Sequence, residues 1–136
     1  VEKDVAPTAD KRDPELADVG KERARKLVAA TKRYKFDEVY STDFKRTRQT
    51  AEPTATKRKK PVQTYDASKP QELVDKIMAS KNDKFLVVGH SNTIPQLANL
   101  IGKRQVFRDL LDIEYSVIWV VKMKNGAVEK IEILSY

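Results

Sequence analysis

The sequence predicts a three-layer α/β/α sandwich with a mostly parallel sheet and a C-terminal antiparallel hairpin. Three observations lead there. Along residues 18–101 the apolar positions switch between helical spacing and short continuous runs, the alternation that builds parallel sheets. Polar residues follow two of those runs directly, at Ser41-Thr42-Asp43 and Gly89-His90-Ser91-Asn92. Near the end, Asn125-Gly126 joins two strand-like segments, the strongest short hairpin signal in the chain.

Residues 1–15 are polar, contain Pro7 and Pro14, lack periodicity and are expected to be loop. From Asp18 to about Tyr34, Ala24, Leu27, Val28 and Thr31 recur at helical spacing against a Lys- and Arg-rich face, which predicts an amphipathic helix. Residues 36–41 read as a strand centred on Val39 and Tyr40, and residues 43–57 as a helix with Asp43 as N-cap and an interruption or kink at Pro53. A second short strand covers 61–65, then a helix over 70–80 begins at Pro70 and turns Leu73, Val74, Ile77 and Met78 inward. Phe85-Leu86-Val87-Val88 is the continuous apolar run of a strand buried on both faces. After it, Ile94, Leu97, Ala98 and Ile101 mark a helix that Ser91 or Asn92 could cap at the start and Gly102 at the end. The hairpin pairs 116–124 with 127–134.

A chain of 136 residues, 40% of them apolar, suffices for one core, and a single domain over 1–136 is expected. No apolar run approaches the roughly 18 residues that span a bilayer, so no membrane partner is expected. Val1-Glu2-Lys3-Asp4 is charged and has no signal-peptide core. The compartment stays open: cytoplasmic if this N-terminus is near the native one, exported if a leader was removed. Without cysteine, disulfides, thiolate zinc sites and cysteine nucleophiles are excluded. A net charge of +7 favours anionic partners. The sequence has no zinc-finger, RNP-like or helix-turn-helix pattern, so a nucleic-acid partner rests on charge balance alone.

His90, the only histidine, follows a buried strand and precedes a helix whose first N–H groups could bind an anion. A structural histidine at a helix start fits the same position. Arg46 and Arg48 lie in the first turns of the helix after the other polar strand end, and on a helix they diverge, so at most one points back over the sheet edge. Guanidinium matches phosphate through paired hydrogen bonds. Ordinary surface charge is the competing reading. In a parallel sheet both strand ends open on one edge, where ligands bind.

These segments together resemble the histidine phosphatase superfamily, the phosphoglycerate-mutase-like enzymes. Leu16, Gly20, Lys45-Arg46, Gln49-Thr50-Ala51 and Val87-Val88-Gly89-His90-Ser91 match its pattern in order and spacing. The resemblance implies an enzyme that hydrolyses phosphomonoesters, on small molecules or phosphoproteins, through a phosphohistidine. It makes Arg46 the arginine that clamps the phosphoryl group, His90 the second histidine of the phosphate pocket, with Ser91 beside it, and Arg48 a surface residue. Asp66, with Glu72 behind it, is the nearest equivalent of the general acid, although an aspartate there is also an ordinary turn residue. No metal or other cofactor is implied. So short a chain points to a phosphatase rather than a mutase.

One departure stands out. The family's nucleophile is a histidine in an Arg-His motif ending the first, central strand, and neither strand nor histidine occurs here. Val1-Glu2-Lys3 reads like the continuation of such a motif, so the domain is expected to be N-terminally incomplete. An engineered truncation and a natural phosphate-binding module without turnover are the alternatives. The chain by itself is expected to be inactive or impaired.

Overall fold

The computed structural model describes residues 12–111, 114 and 116–136. The expected N-terminal loop over residues 1–11 lies outside the described residues. The elements run α1 (Asp18–Ala30), β1 (Glu38–Thr42), α2 (Lys45–Arg58), β2 (Val62–Tyr65), α3 (Pro70–Ala79), β3 (Phe85–Val88), α4 (Ile94–Gly102), β4 (Val117–Lys124) and β5 (Ala127–Ser135).

Strands β2, β1 and β3 form a parallel sheet with β1 in the middle, and β4 and β5 pair antiparallel as a separate ribbon. The period of two divides each strand between two apolar layers. On one face Val39, Leu86 and Val88 pack with Leu27 of α1 and Ala51 and Ala55 of α2. On the other, Tyr40 packs with Leu73 and Val74 of α3 and Leu97 of α4, and the half-buried Phe85 and Val87 join them. The run Phe85-Leu86-Val87-Val88 therefore feeds both faces, as a continuous apolar strand must. The hairpin turns at Asn125 and Gly126, both at positive φ (53° and 76°), which Asn and Gly adopt at little cost.

Several local expectations need correction. Helix α1 stops at Ala30 rather than Tyr34, where Thr31 turns its hydroxyl back to the carbonyl of Leu27 at 2.8 Å. Asp43 does not cap α2: the helix begins at Lys45 with Phe44 in the cap position, and exposed Asp43 pairs with Arg48 at 3.2 Å. The first amide of α2 is instead served by Asp13, whose Oδ1 accepts the Lys45 N–H at 2.8 Å. Helix α2 is not interrupted at Pro53. Met78 is 44% exposed, while Leu73 and Val74 are buried and Ile77 packs half-buried beside them. Neither Ser91 nor Asn92 caps α4; Thr93 holds that position without a side-chain cap. Gly102 ends α4 inside the helix, and Lys103 takes the left-handed turn at φ 55°.

Candidate functional site

The pairing of β1 with β3, in which Ser41 faces Val88, brings both polar strand ends to one edge of the sheet. There Thr42 Oγ1 lies 2.8 Å from His90 Nε2, joining residues 48 apart in sequence. Behind Thr42, its hydroxyl meets that of Thr47 in the first turn of α2 at 2.8 Å. The backbone N–H of His90 donates to Thr93 Oγ1 at 3.0 Å, and its carbonyl accepts the Ile94 amide at 3.0 Å, so the turn into α4 fixes His90 from both sides. Ser91 is buried beside it, and its carbonyl accepts the Leu110 N–H at 2.8 Å.

Phe44 links the two expected site residues. Its ring meets the His90 imidazole edge-on with centroids 5.1 Å apart, and the Arg46 guanidinium carbon lies 4.9 Å from its centroid. Arg46, Phe44 and His90 thus form one contiguous column at the sheet edge. Arg48 points elsewhere, to Asp43. Divergence of residues two apart on a helix gives this split, with Arg46 the one on the Phe44 ring. Phe44 carried no sequence signal for a site; it is 37% exposed and occupies the capping position.

Beside the column is an open pocket of about 550 Å³, lined by Thr42, Asp43, Phe44, Thr64, Tyr65 and Asp66 among others. Tyr65 reaches past the end of β1 toward β3: a Cβ on Gly89 would stand 2.6 Å from its hydroxyl oxygen. An alanine there would make the Tyr65 ring or the Ile94 side chain shift. Burial pushes the Tyr65 phenol up to about 12, so it stays protonated at physiological pH. Asp66 faces the same pocket, but its Oδ1 accepts the Ser68 hydroxyl at 2.6 Å and the Ser68 N–H at 2.9 Å. Those two bonds lower its pKa and keep it a carboxylate. Glu72 is exposed in the first turn of α3. Among the described residues no cluster of His, Asp or Glu could hold a metal ion, and no helix is long and apolar enough to cross a membrane.

Comparison with known proteins bears on the fold. No curated protein matches the sequence at a significant level. The fold matches a mycobacterial glucosyl-3-phosphoglycerate phosphatase in complex with VO3 at a TM-score of 0.69 and 12% identity, covering 94% of this chain and 89% of that one. The same mycobacterial phosphatase with inorganic phosphate gives 0.62 and 14%, covering 73% and 74%. A structure described as mycobacterial hydrolase 1 gives 0.61 and 14%, covering 70% and 72%. At these identities the likeness establishes the fold. Residues 6–69, which include Arg46 and the strand end before it, match the model of the histidine phosphatase superfamily (branch 1).

Proposed function

We propose that this chain is the phosphoryl-binding part of a phosphatase that hydrolyses phosphomonoesters through a phosphohistidine. The observation that carries the reading is the column of Arg46, Phe44 and His90 at the shared carboxyl edge of β1 and β3. In this reading Arg46 binds two equatorial phosphoryl oxygens through its planar fork. His90 and Ser91 address the same group, and the pocket beside Phe44 and Tyr65 receives the alcohol portion. Positive charge aimed at a developing phosphoryl transition state typically contributes ~10²-fold or more in rate. Phosphorylated small molecules and phosphoproteins are the substrate classes to test.

A phosphohistidine route needs a second imidazole as nucleophile, and His90 is the only histidine in these 136 residues. Turnover is therefore proposed for a protein in which an Arg-His strand end lies beside His90. The same single histidine favours one alternative, a noncatalytic module that binds a phosphoryl group without cleaving it. Hydrolysis of p-nitrophenyl phosphate, by the 136-residue chain and by a version extended with an Arg-His strand, separates the two. Activity confined to the extended version and lost in Arg46→Ala and His90→Ala supports the phosphatase. Phosphate binding with no turnover in either supports the module.

A further inference from the structure

We infer that Thr42 and Thr47 form a directed hydroxyl relay that makes Nε2 of His90 the proton-bearing ring nitrogen, with Thr42 its acceptor. The direction follows from counting donors and acceptors. The Thr42 carbonyl already accepts the Phe44 N–H at 2.9 Å and the Ser41 hydroxyl at 2.9 Å, which uses both of its lone pairs. The Phe44 carbonyl accepts the Arg48 N–H at 3.0 Å and has one lone pair left, with Thr47 Oγ1 at 3.1 Å. Thr47 Oγ1 also lies 3.0 Å from the Thr42 carbonyl, and on either carbonyl its single proton is spent on the backbone.

Thr47 Oγ1 can then only accept across its 2.8 Å contact with Thr42, so the Thr42 hydroxyl donates to Thr47. What Thr42 offers His90 at 2.8 Å is a lone pair, and the ring nitrogen opposite it must carry a hydrogen. Both threonines are buried, at 1% and 0% exposure, so water does not compete for these bonds. Thr42 is thus a positioning residue: it fixes the ring's rotation and commits Nε2 to the protein. The relay is independent of the phosphatase reading, and its test reads the ring rather than a reaction.

His90 is the sole histidine, so its imidazole signals in ¹⁵N-labelled protein are unambiguous. Two-bond nitrogen–proton correlations recorded above the pH of its titration should show a protonated Nε2 and a bare Nδ1. Thr42→Ser keeps the hydroxyl and should keep that tautomer. Thr42→Val removes the acceptor and should lower the ratio of Nε2–H to Nδ1–H roughly five- to tenfold, the size of one net hydrogen bond. Thr47→Val is the sharper variant, because Thr47 is joined to the ring only through Thr42. Losing its acceptor frees the Thr42 hydroxyl to donate to Nε2, so the Nδ1–H form should rise. A wild-type ring with hydrogen on Nδ1, or a ratio that neither valine variant moves, overturns the relay.

Discussion

The carboxylate of Asp66 closes a turn onto Ser68, accepting its hydroxyl at 2.6 Å and its backbone N–H at 2.9 Å. Both bonds stabilise the charged form, and the pKa is lowered accordingly. A carboxylate cannot donate a proton to a leaving alcohol. In an active, extended version, Asp66→Asn is therefore expected to change turnover of an alkyl phosphomonoester such as glycerol phosphate by less than about tenfold, while general-acid loss typically costs ~10²–10⁴-fold. A hundredfold loss would mean that bound substrate draws Asp66 away from Ser68 and protonates it.

Asp13 and Lys45 make the cap that holds the helix of Arg46, at 2.8 Å. A carboxylate there also complements the positive end of the helix. Asp13→Ala should destabilise the fold by about 0.5–2 kcal/mol in denaturant titration. Asp43→Ala, which removes only an exposed ion pair with Arg48, should cost less than about 1 kcal/mol. Equal losses in the two variants would return the capping role to Asp43.

Gly89 meets Tyr65 across the pocket wall, and an added Cβ would press on the Tyr65 hydroxyl at 2.6 Å and on Ile94 Cδ1 at 3.0 Å. Gly89→Ala should therefore cost about 1–3 kcal/mol through overpacking. In a Tyr65→Phe background the tighter of the two contacts disappears. The cost should then fall by about 0.5–1 kcal/mol in a double-mutant cycle. Simple additivity would show that Ile94, not Tyr65, enforces the glycine.

Much of this arrangement is legible in the sequence, and the reason is the range of the interactions. Val39, Leu86 and Val88 declare themselves by apolarity, since a strand packed on both sides must be continuous in sequence. The common edge of Thr42 and His90 followed from parallel topology. By contrast the Asp13 cap joins residues 32 apart and the Thr42–His90 bond residues 48 apart, and neither has a local pattern to announce it. Asp43 is the nearer acceptor in sequence, yet it pairs with Arg48 and the distant Asp13 takes the Lys45 amide. Phe44 is one apolar residue in a polar stretch, and only the fold shows its ring meeting both Arg46 and His90.

Asn99 belongs to the same class of silent residues. It is 3% exposed in α4; its amide donates to the Phe107 carbonyl at 2.8 Å, and its Oδ1 accepts the Val106 and Phe107 amides at 3.0 and 2.8 Å. One side chain thus satisfies three backbone groups of the segment that continues to Leu110 and its bond with Ser91. Asn99→Leu should destabilise the protein by roughly 2–4 kcal/mol, because these backbone groups lose their buried partner. Hydrogen exchange at Val106 and Phe107 should accelerate beyond the global loss. Protection unchanged at those two amides would show that other contacts hold the segment.

At the opposite end of the sheet, Glu38 gives the fold a predictable acid limb. Partial burial would raise its pKa, but hydrogen bonds from Gln63 at 3.2 Å, Tyr40 at 2.9 Å and Ser80 at 3.0 Å outweigh that, and the net shift is downward from 4.5. The same contact, together with burial as the larger cause, pushes the Tyr40 phenol up to about 12, so Tyr40 remains the donor throughout the neutral range. A carboxyl with a folded pKa below its unfolded value binds more protons when unfolded. Its contribution is therefore fully present above the unfolded pKa near 4.5 and is lost as pH falls through the lower folded value. Glu38→Gln should lower stability at pH 7 and converge toward wild type in acid, since the protonated wild-type residue and the glutamine are both neutral. Urea titrations at stepped pH read the difference directly. A gap between the two proteins that stays constant from neutral pH into acid would assign the role of Glu38 to packing rather than charge.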